Sequence, residues 1–112
     1  MTGKIVVFVT CSKPKDARHI AKLLVGRNLA ACVQEIGGRI RSTYRWKGKV
    51  ESAKEILLLI KTTRRKFPEV AKAVKQIHSY EVPEIIALPI EDGSEDYLNW
   101  IAESVREKKT RR

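Results

Sequence analysis

Hydrophobic and polar positions alternate along the chain with two different periods. Lys4–Thr10 (KIVVFVT) is a continuous, β-branched run, which predicts a central strand buried on both faces. Next, Ala17, Ile20, Ala21, Leu23 and Leu24 recur at spacings of three and four, which predicts an amphipathic helix. Pro14 stands near its start, where a missing N–H costs nothing. Asp16 falls in the first turn and suits the dipole, and Gly26 or Asn28 can take the left-handed cap. Ala31 to Trp46 reads as strand, with Gly37-Gly38 as a bulge or bend inside it, or as a division into two. Lys47-Gly48 makes a tight turn, and Lys49 to Lys61 returns as a second long strand ending in EILLLIK. The hairpin arms reach about a dozen residues, where five or six is usual. Its tip, Tyr44 to Lys49, would project past a domain of this size, and an exposed aromatic tip calls for a partner surface.

Further on, Phe67, Val70, Ala71, Val74 and Ile77 share one helical face, predicting a helix over Thr63–Ile77 whose regular part opens at Pro68. His78 to Pro83 is a connector, and Glu84–Ile90 is a fourth strand. Pro89 lacks a donor, so this strand is an edge or ends there. Asp92 or Ser94 caps a last helix holding Tyr97, Leu98, Ile101 and Val105. The order β-α-β-β-α-β-α is the split-βαβ pattern: an α+β, ferredoxin-like fold with one antiparallel sheet and helices on one face. The 112 residues allow one core, so residues 1–103 are expected to form a single domain and 104–112 a basic tail.

Composition narrows the function. Apolar residues make up 43% and charged residues 32%, which excludes a disordered or collagen-like chain. No apolar run is longer than Ile56 to Ile60, far short of the roughly 18–20 residues a membrane span needs. Lys and Arg number 23 against 13 Asp and Glu, a net charge of +10. Such an excess invites nucleic acid, anionic lipid or acidic ligands, but here the charges are spread along the chain, as on a solvated, ion-paired surface. Only Arg106, Lys108, Lys109, Arg111 and Arg112 form a dense cluster. An RNA-reading sheet carries aromatics on its central strands, and these strands offer only Phe8. Nucleic-acid binding is therefore not expected beyond nonspecific contact through the tail. The N-terminus carries no secretory pattern and there are two cysteines, so a cytoplasmic chain with reduced thiols is expected.

Candidate chemistry is sparse. Cys11 ends a strand just before a helix N-terminus, a position that lowers a thiol's pKa. A thiolate with an imidazole would favour copper(I) or zinc over calcium or magnesium. The competing reading is a small buried hydrophobe. Cys32, in LAACVQ, reads as structural. His78, Tyr80 and Glu81 lie on a connector and can together bind a metal or polar ligand. Equally, His78 can end its helix as a cation while Tyr80 and Glu81 tie the loop down. No GxSxG, GxxxxGK[ST], HExxH or GxGxxG is present, so an enzyme is not expected.

The segments VTCSKPKDARHIAKLLVGRNLAACVQ, STYRWKGKVE, KEILLLIKT, HSYEVPEIIALPI and DYLNWI resemble the CutA family of divalent-cation-tolerance proteins, from about Ile5 to Ile101. The resemblance implies a homotrimer related in architecture to the PII signalling proteins, with a role in the response to metal ions and copper or another divalent metal as its ion. It implies that Tyr44 and Trp46 pack across the trimer interface. Copper-binding members resemble this chain at Cys11 and carry a His-His pair before the loop. Here His78 matches the second His, Ile77 stands at the first, and Ser79 replaces a Pro. The implied metal ligands are thus Cys11 and His78, with Glu81 as a third. Clefts between subunits would be lined by HSYEVPE, with Tyr80, Glu81, Glu84 and the Lys47–Lys49 tip as readers. The alternative function is a PII-like signalling or scaffold trimer that binds a small ligand or protein there.

Overall fold

The computed structural model describes residues 1–106, the side chains of residues 38 and 39 excepted. Strand β1 (Lys4–Cys11) leads through helix α1 (Pro14–Gly26) to the long hairpin β2 (Cys32–Trp46) and β3 (Lys49–Thr63). A short 3₁₀ turn (Arg64–Lys66) opens into α2 (Phe67–Ile77), followed by β4 (Ile85–Pro89) and α3 (Glu95–Ser104). The four strands form one antiparallel sheet in the order β2-β3-β1-β4, the order a split βαβ demands. No described helix is long and apolar enough to cross a membrane.

Local chemistry explains the ends. Pro14 opens α1 and Asp16 sits in its first turn. Asn28, at φ 59°, is the left-handed residue beyond it, leaving the Leu24 carbonyl to accept from Leu29 and Ala30. Ser94 caps α3 by accepting from the Tyr97 N–H. Pro89 is both the last residue of β4 and on a sheet edge.

Three expectations need correction. The helix predicted from Thr63 begins at Phe67, because Thr62 and Thr63 still pair with Ile5 and Lys4. The β-branched Thr62 is fully buried there and donates its hydroxyl to the Leu29 carbonyl at 2.6 Å. Similarly, the fourth strand is shorter than Glu84–Ile90. The tail boundary at 104 also moves: Ser104 is the last residue of α3, and Val105 is buried against Ile101 and Ala31. Residues 107–112 of that expected tail lie outside the described residues.

The Gly37-Gly38 break is a bulge inside one strand. The ladder jumps from Ile36↔Leu57 to Ile40↔Glu55, placing residues 37–39 opposite Ile56 alone. Beyond it the arm continues to a two-residue turn with positive φ at Lys47 (51°) and Gly48 (81°), the twist-matched hairpin turn. The arm stretches the molecule to 53 Å. Its radius of gyration is 15.1 Å, against about 13 Å for an ordinary domain of this length.

The core lies on one face of the sheet. Ile5, Val7 and Val9 of β1 and Ile56, Leu58 and Ile60 of β3 pack under Ile20 and Leu24 of α1 and Val70 and Val74 of α2. The expectation of helices on one face holds for α1 and α2. Helix α3 departs from it: it has its own small cluster with Ala31 and Ile90, and Tyr97 reaches the second face, near Cys32 and Lys61. The rest of that second face is open. Val6, Phe8, Leu57 and Leu59 are only half-buried, and Ile36, Ile86 and Leu88 are exposed. Within the single chain, β1 is therefore not buried on both faces.

Candidate functional site

Register on the arm decides which side chains meet. Trp46 pairs with Lys49 across the turn, so Tyr44 faces Glu51, Ser42 faces Ala53 and Ile40 faces Glu55. Alternation then projects Ser42, Tyr44, Trp46, Glu51 and Glu55 from one side of the arm. The connector 78–84 lies along that side. Together they enclose a cleft of about 830 Å3.

At its base, Glu55 is 6% exposed. Ser42 donates its hydroxyl to Glu55 Oε1 at 2.5 Å, and Tyr80 donates its hydroxyl to Oε2 at 2.6 Å. Two hydroxyl donors on two oxygens is the pattern of an ionised carboxylate. Burial, then the Glu55 bond and charge, pushes the Tyr80 phenol well above its usual range, so Tyr80 remains a donor. The Glu84 carboxyl is also raised, by burial first and then by Glu55. Among the described residues, no cation lies within ion-pair distance of Glu55. Among the described side chains, the lining includes Glu51, Glu55, Glu81 and Glu84 and no Lys, Arg or His, although the chain carries +10.

His78 organises the connector. Its Nε2–H donates to the Thr10 carbonyl at 2.7 Å, and its Nδ1 accepts from the Tyr80 N–H at 3.1 Å. Those partners assign a neutral ring with its proton on Nε2. The ring also packs on Tyr80, with centroids 4.7 Å apart. His78 thus aims Tyr80 at Glu55.

The metal set Cys11, His78 and Glu81 is not assembled. Cys11 shares a strand face with Val7 and Val9 and is fully buried in the core. Burial first, then the charges of Asp16, Glu55 and Glu35, pushes its thiol up to about 11. The expected lowering by a helix N-terminus is overturned, because the side chain faces the apolar core. Both His78 nitrogens are engaged, and Glu81 is exposed on the cleft. Among the described residues, no three of His, Cys, Asp and Glu gather to hold a metal. A resident ion on the expected donors does not fit this arrangement.

Tyr80, Glu84, Tyr44 and Trp46 line this cleft within one chain, the last two 43% and 37% exposed; the expected cleft for Tyr80 and Glu84 lies between subunits, and the expected place of Tyr44 and Trp46 is a trimer interface. Lys47 does not; its ammonium sits 5.8 Å from the neighbouring Trp46 ring. Sequence reading missed Glu51, Glu55 and Ser42. The signal was present in the Lys47-Gly48 turn, whose two-residue length fixes the register outward to Glu51 and Tyr44.

The sequence model of the CutA1 divalent ion tolerance protein matches residues 5–104. The chain belongs to this family. It is 48% identical over 99 residues to the divalent-cation tolerance protein CutA of Thermus thermophilus, covering 88% of this chain and 95% of that one. Human CutA is 47% identical over 94 residues, 84% of this chain, which spans only 52% of the human protein. The solved Thermus thermophilus structure superposes with a TM-score of 0.89 at 47% identity, over 92% of this chain and 99% of that one. The CutA1 structure from Oryza sativa does so with a TM-score of 0.89 at 41% identity, over 96% of this chain and all of that one. The α+β architecture of this family member, antiparallel sheet with helices, is the CutA1 architecture.

Proposed function

We propose that this family member serves divalent-cation tolerance as a PII-like homotrimer that binds and does not catalyse, in the cytoplasm. The observation that carries the reading is the open sheet face. Phe8, Leu57, Leu59, Ile86 and Leu88 form neighbouring rows of one ladder and lie outside the core packed under α1 and α2. An apolar patch of this kind marks an interface, and each 100 Å2 of it covered by a partner contributes roughly 2.5 kcal/mol. The arm of one copy laid on another's open face and β4 edge is a head-to-tail contact, which closes into a ring. Tyr44 and Trp46, near the arm's end, then stand where the cleft borders the neighbouring subunit. The two free thiols favour a reducing compartment.

The ion is cargo here. Among the described side chains, the cleft lining offers carboxylate and hydroxyl oxygens and none of the soft donors that copper(I) prefers. Sedimentation at micromolar concentration tests the assembly: a species of three times the monomer mass is expected, and a stable monomer overturns it. Copper(I) and copper(II) titrated into wild type and Cys11→Ser test the ligands: equal affinities are expected, and a loss in the variant restores Cys11 as a ligand.

The second reading is a signalling trimer that binds a small organic ligand. The size of the cleft favours it, since small-molecule sites typically span about 300–1,000 Å3.

A further inference from the structure

We propose that the cleft between the arm and the 78–84 connector binds a small organic cation, with a protonated amine on Glu55 and its alkyl portion against Tyr44 and Trp46. This rests on the second reading above and gives its ligand a chemical class.

Charge comes first. In a chain of net charge +10, the described lining of this concavity holds four glutamates and no Lys, Arg or His, with Lys47 at its edge, 5.8 Å from the Trp46 ring. Chance placement on a basic surface would put lysines there. The field inside the cleft attracts cations while the rest of the surface repels them.

Glu55 then gives the charge a focus. It is more than nine-tenths buried, and no cation among the described residues pairs with it. A buried, unpaired carboxylate is expensive. Ser42 and Tyr80 each satisfy one lone pair on one oxygen, leaving acceptor capacity on both. An ammonium group with its N–H donors completes the set.

The walls choose between an ion and an organic cation. A divalent metal needs several donors converging at about 2.0–2.6 Å, and no three acidic or soft donors gather among the described residues. At about 830 Å3, the cleft is far larger than an ion requires. Its sides carry Tyr44, Trp46 and Tyr80, with Val82 and Pro83 between the carboxylates. Aromatic faces beside carboxylates are the means by which proteins hold alkylammonium groups. A ligand with two amines would place one on Glu55 and the second towards Glu51, Glu81 or Glu84 at the mouth.

The test uses the full chain and 1,4-diaminobutane as probe, read by Trp46-dependent fluorescence and by calorimetry at constant ionic strength. Saturable binding is expected, with MgCl2 and ZnCl2 competing only as well as NaCl of equal ionic strength. Glu55→Gln keeps the acceptor for Ser42 and is expected to weaken binding by about tenfold or more, the loss of one charged hydrogen bond. Should Glu55→Gln fail to fold by circular dichroism, Trp46→Leu carries the test, with a several-fold loss expected from the missing ring. Unchanged affinity in the folded variant, or binding abolished by NaCl alone, overturns the proposal. So does saturable zinc binding without amine binding. Sedimentation of the same samples separates the two readings: amine binding by a monomer removes the trimer and leaves this site standing.

Discussion

The two faces of the β1–β3 ladder are built from the same kind of residue and meet opposite fates. On one, Val7, Val9, Leu58 and Ile60 are fully buried under α1 and α2. On the other, Phe8, Leu57 and Leu59 keep part of their surface in water, and Ile86 and Leu88 beside them are exposed. The sequence KIVVFVT cannot distinguish the two faces, because hydrophobicity is equally useful to a core and to an interface. The first face holds the chain together; the second face is where a copy of the chain is expected.

The largest effect separates these roles. Leu58→Ala removes side-chain volume from a fully buried site and should cost about 2–5 kcal/mol in urea unfolding. Leu59→Ala, one residue along and on the open face, should cost much less in a dissociated chain and appear as weakened assembly. Equal losses for the pair in monomer unfolding would erase the distinction between the faces. Next in size is Ile86→Lys. Ile86 is 50% exposed on the edge strand, so the charge should leave the monomer folded and shift sedimentation from trimer to monomer. A trimer that survives this change would place the interface elsewhere.

The cysteines sharpen the same contrast. Cys11 belongs to the covered face, and its thiol, pushed up to about 11, is protonated at neutral pH. Cys32 lies on the other face, half-exposed, its sulfur 3.8 Å from the Tyr97 hydroxyl. Iodoacetamide at pH 8 followed by mass spectrometry should label Cys32 and leave Cys11 intact until the chain is unfolded. Native labelling of Cys11 would contradict its burial and reopen it as a metal ligand.

Much of the fold was legible because local signals agreed with one another. Pro14, Asn28 and Ser94 mark helix ends by their own chemistry, and Ile20 and Leu24 mark a face by spacing. The boundary after β3 was not legible, because Thr62 and Thr63 are held in the strand by β1, a long-range partner. The candidate site was half legible. Tyr80 and Glu84, expected on a cleft between subunits, line one within the chain, and Tyr44 and Trp46, expected at a trimer interface, stand on its opposite wall. Glu55 was hidden, since a lone acid preceding ILLLIK looks like a strand end, and only the bulge at residues 37–39 brings it opposite Ile40. His78 was read as a ligand because its two hydrogen bonds, to Thr10 and Tyr80, depend on how the connector packs.

The carboxylates give a smaller, pH-dependent effect. The Glu84 carboxyl is raised above its ordinary 4.5 in the folded chain, by burial and by Glu55. Ionising it therefore disfavours folding: stability is full below pH 4.5 and declines as pH rises through the raised value. Glu84→Gln should melt slightly higher than wild type at neutral pH, with the gap closing below pH 4.5. A bound cation should narrow the gap at neutral pH, because it relieves the same repulsion.

The smallest expected effect lies farthest from either face. Lys47 holds φ at 51°, a left-handed conformation that a lysine adopts with strain, and Gly48 beside it sits at 81°. A two-residue hairpin turn with both residues at positive φ favours Asn-Gly. Lys47→Asn should therefore stabilise the arm by about 0.5 kcal/mol, a fraction of the left-handed penalty of about 1–2 kcal/mol per residue. The substitution also removes the ammonium resting 5.8 Å from the Trp46 ring, which opposes part of the gain. Amide exchange distinguishes the terms: slower exchange at the tip, with the β1–β3 ladder unchanged, is expected. Faster exchange would mean that the Lys47–Trp46 contact, and not the turn, sets the stability of the arm's end.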